Sequence, residues 1–381
     1  MTSWIEVSLL AAMALFAYPF VLYPGLLRAL RPRRKPAGGA GRAPEEWPAV
    51  AMVICAYNEE RIIRQKLENC LALEYPAGKL RIVVVSDGST DSTATLWRQF
   101  APQGIELIEQ KPRRGKVANL NEVIPARSEE IIVLSDANVL YRSDAILRLV
   151  SRFRDPTVGC VSGKVVLRGT TESLSGGEAD YYSLEWGMQE RESELHSMVG
   201  VDGAMYALRR DLFPPCPPDT LIEDFVIAVG VARQGKRVVF EPGAIGWEAG
   251  PATVQEEFRR KVRIAAGAAQ ALARGNGWPI GAPPRFWFLF LSHKLLRWIS
   301  PLIGLAILVL SWVTRERALP GIVLAAFLVV AALAVLRAVK AWIHPATNWA
   351  FYFLFGQAAT SWGLIQGMLG RQSVLWAKAD R

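Results

Sequence analysis

The chain has 381 residues, of which 51% are hydrophobic, and 44 Lys and Arg against 35 Asp and Glu give a formal charge of +9. That charge suits anionic lipid headgroups or an anionic nucleotide, whereas nucleic acid is disfavoured because the basic residues sit mostly beside apolar segments and no nucleic-acid motif occurs. Cys55, Cys70, Cys160 and Cys216 lack metal-pair spacing and read as reduced cytosolic thiols, and the scattered His196, His293 and His344 exclude a histidine-rich zinc site.

Apolar residues concentrate at the two ends of the chain. Residues 4–27 carry Glu6 as their single charge, are long enough to span a bilayer and contain Pro19 and Pro24 as kinks, so residues 1–30 read as an N-terminal transmembrane anchor. Arg28, Arg31, Arg33, Arg34 and Lys35 follow the apolar run, which argues against a cleaved signal peptide and places the next residues in the cytoplasm. Residues 31–48 form a basic Pro/Gly linker. A soluble domain then occupies residues 49–275. Its expected strands are 49–56, 80–87, 105–108, 130–136, 159–167, 199–208 and 237–240. Its expected helices are 58–73, one capped by Thr90 or Asp91, 177–196, 224–233 and 255–274. This alternation predicts an α/β fold with a mainly parallel sheet.

Residues 276–298 read as a connector followed by an interfacial helix, because aromatics alternate there with His293, Lys294 and Arg297. Residues 299–381 hold the C-terminal membrane segments and a tail, with apolar stretches at 298–314, 318–336 and 347–369. The last contains Asn348, Gln357 and Gln366. Three full spans would put Arg371, Lys378 and Arg381 outside, against the positive-inside bias; a re-entrant last segment would remove the conflict.

Two strands end in an aspartate: Ile82-Val83-Val84-Val85-Ser86-Asp87-Gly88 and Ile131-Ile132-Val133-Leu134-Ser135-Asp136-Ala137-Asn138. Ligands of open α/β sheets sit beyond the carboxyl ends of the strands, so both aspartates can meet at one pocket, suited to a metal-bound phosphate. Ile222-Glu223-Asp224 adds a third acidic site and a candidate base at a helix start. One aspartate alone is commonly a turn or a helix cap; the three in order are not explained that way. Neither a Gly-x-Gly-x-x-Gly turn nor a P-loop follows a strand, which argues against dinucleotide redox chemistry and P-loop ATPases. The nucleotide must be held otherwise. Ala56-Tyr57-Asn58-Glu59 supplies an aromatic face and polar groups, Asp87 can accept from a base or ribose, and Lys116 offers a cation to phosphate. Asn58 can equally be a helix cap, and Lys116 a solvated lysine.

These residues resemble the family 2 glycosyltransferases, in particular the membrane-integrated inverting enzymes related to cellulose, chitin and hyaluronan synthases. The resemblance runs from about Val50 to Ala273 through Ala56-Tyr57-Asn58-Glu59-Glu60, Ser86-Asp87-Gly88-Ser89-Thr90-Asp91, Gly115-Lys116 with Asn121, Asp136-Ala137-Asn138, Gly203-Ala204, Ile222-Glu223-Asp224 and Arg260-x-x-Arg263. It implies an A-type glycosyltransferase fold, a nucleotide-sugar donor, usually a uridine diphosphate sugar, and Mg2+ or Mn2+. It implies that Ala56, Tyr57, Glu59, Asp87, Lys116, Asp136 and Arg260 bind the donor, that Asp136 and Asn138 meet the metal, and that Gly203 and Ala204 face the acceptor. Asp224, Glu223 and Arg263 take the catalytic roles of base, orienting group and leaving-group cation. Asn138 stands where a second aspartate is commoner. Ile264 stands where the family has a tryptophan that stacks on a sugar, and it cannot stack so.

The expected reaction is direct displacement with inversion. Asp224 takes a proton from an acceptor hydroxyl, and the metal and Arg263 stabilise the leaving diphosphate. The anchor suggests a lipid-linked or saccharide acceptor in an integral protein of the inner or plasma membrane whose catalytic domain is cytoplasmic. Membrane lipids are expected partners, with an oligomer or export partner if polymer is secreted. Tyr181, Tyr182 and Trp186 either line the acceptor entrance or belong to the core. Two alternatives stay open: transfer to a polyprenyl phosphate, and a catalytically silent nucleotide-sugar-binding membrane scaffold.

Overall fold

Alternation within the strands determines the layers. Val50, Met52, Ile54, Ile82, Val84, Ile131 and Val133 pack on one face of the sheet with Ile63, Leu67 and Trp97. The intervening Ala51, Val53, Val83, Val85, Ile132 and Leu134 pack on the other with Leu120, Val123, Phe225 and Phe286. Covering both faces is why these strands read as continuous β-branched runs.

The computed structural model describes residues 4–30, 46–168, 175–251 and 253–375; most of the expected linker at 31–48 lies outside them. Its strands are β1 Val50–Ala56, β2 Leu80–Asp87, β3 Glu106–Gln110, β4 Ile131–Asp136, β5 Leu140–Tyr141, β6 Val158–Arg168, β7 Met205–Arg209 and β8 Arg237–Ala249. They form one sheet in the order β3-β2-β1-β4-β7-β6-β8-β5. The half from β3 to β4 is all parallel. In the other half β7 opposes both β4 and β6, β8 runs parallel to β6, and β5 opposes β8. The sheet is therefore mixed, with the parallel character confined mainly to its first half.

Two local expectations are corrected. The strand expected over 199–208 begins only at Met205, because Asp202 makes a turn: its Oδ1 accepts from the Ala204 N–H at 3.1 Å and its carbonyl from the Met205 N–H at 3.0 Å. The helix expected from residue 58 starts at Ile63, and Asn58 adopts φ 55° rather than capping it. Asn58 Oδ1 instead accepts from the Thr90 N–H at 2.8 Å, joining the loops after β1 and β2.

Three helices among the described residues are long and apolar enough to cross a membrane: Trp4–Ala29, Pro284–Val313 and Ala318–Ala338. The middle one runs without a break through the boundary expected at residue 298. The cations expected to meet headgroups there meet carboxylates of the helix Ser175–Leu195 instead. His293 is buried, with Nδ1 2.7 Å from Glu192 and Nε2 3.0 Å from Glu185, and Arg297 donates to Glu185 at 2.8 Å. Tyr23 of the first helix donates to the same Glu192 at 2.6 Å. The first helix and the helix Pro284–Val313, both candidate spans, are thus tied to the helix Ser175–Leu195 by one buried polar network, in which each charged group has partners.

The last apolar stretch is a helix, Pro345–Met368, but it is not among the three candidate spans. It packs on the helix Val254–Ala273. A Cβ on Gly363 would lie 2.4 Å from the Val262 carbonyl, and one on Gly367 2.3 Å from that of Ala266. Only glycine permits this approach. The chain then returns to the domain, and a Leu375 methyl lies 3.7 Å from where a Cβ of Gly115 would sit. The chain thus leaves the domain at Pro284 and meets it again at Leu375. Two of the three candidate spans, Pro284–Val313 and Ala318–Ala338, lie in that interval.

Candidate active site

β1, β2 and β4 end side by side, with Cys55 opposite both Val85 and Asp136. Asp87, at the tip of β2, is buried. Its Oδ1 accepts from the Arg114 N–H at 2.7 Å and its Oδ2 from the Gly115 N–H at 2.9 Å. The turn after it requires glycine: Gly88 has φ +69°, and a Cβ there would lie 2.9 Å from the Arg113 nitrogen. Asp87 thereby sets the start of the helix Lys116–Val123. An ionised carboxylate accepts about four hydrogen bonds, so capacity remains for a base or ribose.

Lys116 links three elements. Its Nζ lies 2.8 Å from Asp136 Oδ1, at the tip of β4, and 2.8 Å from Glu223 Oε1, at the start of the helix Glu223–Arg233. Burial alone would lower its pKa, but the two carboxylates hold it well above the ordinary lysine value, so the ammonium persists. The lysine expected to meet phosphate is here the bridge between two acidic tips.

Glu223 and Asp224 are neighbours driven apart electrostatically. Burial would raise Glu223, but Lys116, and behind it Arg263, hold it below the usual carboxylate range. Burial and the charge of Glu223 push Asp224 up to about 6, against a hydrogen bond from its own neighbour Phe225 and the charges of Lys116 and Arg263. Two carboxyl groups with separated proton affinities are the usual sign of divided ligand and base roles. Gly203 packs directly on Asp224: a Cβ there would stand 2.8 Å from its Oδ2 and 3.1 Å from its Cγ. Ala204 accepts the Asp136 N–H at 3.3 Å. Both residues expected on the acceptor side therefore touch the acidic cluster.

The remaining expected residues are distributed as follows. Ala56 is buried at the end of β1. The Tyr57 ring lies under the Arg113 guanidinium at 3.5 Å, so one of its faces is already covered. The Glu59 N–H donates to Thr93 Oγ1 at 2.7 Å. Asn138 donates to Glu248 Oε1 at 2.9 Å. Arg260 is turned to Glu257 and Tyr182, donating at 2.7 Å to each. Tyr182 is thus a polar partner as well as a packing group, and Trp186 carries Lys164 at 4.2 Å over its ring. The side chain of Tyr181 lies outside the described residues. The helix Val254–Ala273 buries Val262, Ala265, Ala266 and Ala269, and Pro345–Met368 covers its face at Val262 and Ala266.

Four residues escaped sequence reasoning. Arg113 belongs to the loop held by Asp87. Asp202, pushed up to about 7 by burial and by the nearby charges of Glu248, Asp224 and Asp136, was hidden inside an expected strand; its Asp-Gly pair was the available turn signal. Glu248 lies on the part of β8 beyond the expected end at Phe240. Lys66 is wholly buried, and its side chain is pushed down to about 8 by that burial.

Among the described residues no group of three or more His, Cys, Asp or Glu side chains forms a metal cage. The Asp136 side chain is 40% exposed and meets Lys116 through Oδ1. Mg2+ and its relatives are usually held by one or two carboxylates plus substrate phosphates, and a partly exposed carboxylate at a strand tip fits that mode.

A half-parallel sheet covered on both faces, with acidic groups gathered beyond the ends of its strands, defines an A-type glycosyltransferase fold joined to candidate membrane helices. The sequence family "Glycosyltransferase like family 2" matches residues 48–267, more than half the chain, and the protein belongs to that family. Among curated relatives, poly-beta-1,6-N-acetyl-D-glucosamine synthase of Staphylococcus aureus is 26% identical over 236 residues, 60% of this chain and 57% of that one. Probable glycosyltransferase YdaM of Bacillus subtilis is 28% identical over 234 residues, 58% of this chain and 56% of that one. The matches span less than two thirds of either relative. The solved mannosyltransferase PcManGT from Pyrobaculum calidifontis, in complex with GDP-Man and Mn2+, superposes with a TM-score of 0.75 at 25% identity, covering 97% of this chain and 100% of that one.

Proposed function

We propose that this enzyme is a membrane-bound inverting glycosyltransferase that moves a sugar from a nucleoside-diphosphate sugar to a hydroxyl of a lipid-linked or saccharide acceptor. The observation that carries the reading is the meeting of Asp136, Lys116 and Glu223 in one contact set, with Asp224 beside it pushed up to about 6. Asp87 and the Gly115 turn orient the nucleoside end, and Lys116 and Arg263 provide cations for a diphosphate. Asp224 accepts the proton of the acceptor hydroxyl as its oxygen attacks the anomeric carbon from the side opposite the diphosphate. Glu223 keeps Lys116 in place. A divalent ion, Mg2+ or Mn2+, when bound at Asp136 with Asn138 nearby, would supply Lewis-acid stabilisation of the diphosphate.

A base tuned near neutrality suits a hydroxyl acceptor, since a polyprenyl phosphate is already anionic and needs none. Uridine diphosphate sugars come first as donors, and GDP-mannose beside them because PcManGT holds it. The basic residues that follow the first helix support a cytoplasmic domain in an inner or plasma membrane. Divalent-ion-dependent release of nucleoside diphosphate from the protein in native lipid, with the product mass rising by one sugar, tests the proposal. No release across donors and lipid extracts would favour a silent nucleotide-sugar-binding scaffold.

A further inference from the structure

The loop that carries Asp136 and Asn138 rests on the helix Ile63–Leu71, and two side chains one turn apart reach from that helix into the loop. Lys66 is 0% exposed. Its Nζ donates to Ser135 Oγ at 2.8 Å and to the Val139 carbonyl, and lies 4.4 Å from the centre of the Tyr141 ring. The ammonium thus meets two oxygens and a π face of the same short segment. Asn69 donates to the Tyr141 carbonyl at 2.8 Å and accepts the Tyr141 N–H at 2.7 Å.

These bonds continue to Asp136 itself. The Ser135 hydroxyl, accepting from Lys66, donates to the Asp136 carbonyl at 3.0 Å. The Val139 N–H bonds to the same carbonyl at 3.4 Å, and the Asp136 N–H to Ala204 at 3.3 Å. An apolar side chain would fill this buried space without the desolvation that a buried ammonium suffers. What only the lysine supplies is a set of directed bonds to one loop.

We propose that Lys66 and Asn69 are positioning residues that clamp residues 135–141, so that the Asp136 carboxylate and the Asn138 amide stand ready for the donor diphosphate and its cation, which neither clamp residue touches. This rests on the donor-site reading above. Lys66→Met keeps length and removes the charge and donors; Asn69→Ala removes the Tyr141 bonds without altering charge. Hydrogen exchange of the full-length, metal-free protein in lipid is expected to be about 10-fold faster across 135–141 in either variant, with peptides from β1 and β2 at wild-type rates. The Mn2+ midpoint for nucleotide release is expected to rise roughly 10- to 100-fold, with kcat at saturating Mn2+ nearly retained, as for lost supports of metal ligands. Wild-type exchange of 135–141 in both variants, or uniform acceleration through the whole sheet, would overturn the clamp. If the wild-type protein releases no nucleotide from any donor, the glycosyltransferase reading fails, while the exchange measurement still decides the clamp.

Discussion

The two halves of the sheet treat carboxylates differently. In the parallel half, Asp87 and Asp136 have oxygens engaged by N–H donors: backbone amides of Arg114 and Gly115 for one, Lys116 for the other. Beside the mixed half, Asp224 and Asp202 lie half-buried among other acids and are pushed up to about 6 and about 7, chiefly by desolvation. Fixed donors favour the anionic form of an acid, whereas partial desolvation and crowding by like charge bring its proton exchange towards neutrality. In the proposed mechanism the first half holds the ionic donor and the second handles the acceptor's proton.

The sharpest way to break this division is Asp224→Asn. Turnover should fall about 10²- to 10⁴-fold, the range of general-base assistance, while donor binding measured by calorimetry stays near wild type. Substantial turnover would remove Asp224 from the role of base. Lys116→Met strikes the boundary between the halves and should cost about 10²- to 10³-fold in kcat, as for loss of one charge-stabilising donor, with weaker donor binding read in the same titration.

A smaller effect is expected from Gly203→Ala, whose methyl group must turn the Asp224 carboxylate aside. A displacement near 1 Å can cost up to about 10²-fold, and an unaltered melting temperature would separate this from misfolding. The pH profile sharpens the comparison further. Because Asp224 must be deprotonated to act, kcat/KM should rise with pH through a limb near 6 and be lost below it. Glu223 helps to raise Asp224, so Glu223→Gln should move the limb to lower pH; a limb that stays in place would assign it to another group, with Asp202 the first candidate. The mildest effect on chemistry belongs to Gly363→Leu, which overpacks the contact with Val262. About 1–3 kcal/mol of stability should be lost by the usual cost of overpacking, read as a lower melting temperature, with donor affinity retained by the folded fraction.

Legibility followed the same division. The parallel half was readable because β-branched runs ending in Ser86-Asp87-Gly88 and Ser135-Asp136-Ala137 carry both their secondary structure and their position in the sheet in local pattern. The mixed half was read less well. A strand was expected through Asp202, where a side-chain-to-backbone bond makes a turn, and β8 was expected to stop at Phe240 although it runs to Ala249 and brings Glu248 to Asn138. The membrane ends were legible by composition as apolar, but composition did not distinguish a span from Pro345–Met368. Its Gly363 and Gly367 have meaning only once the facing carbonyls of Val262 and Ala266 are present.

The sequence by itself determined the α/β alternation, the two acidic strand ends, the Glu223-Asp224 helix start and the apolar anchor, since each depends on residues close together in the chain. Tertiary structure alone decided that one lysine joins Asp136 to Glu223, that Gly203 lies against Asp224, that Lys66 and Asn69 bond to the segment 135–141, and that the last helix returns to the domain. Those outcomes depend on desolvation and on contacts between residues tens to hundreds of positions apart, quantities that no local pattern encodes.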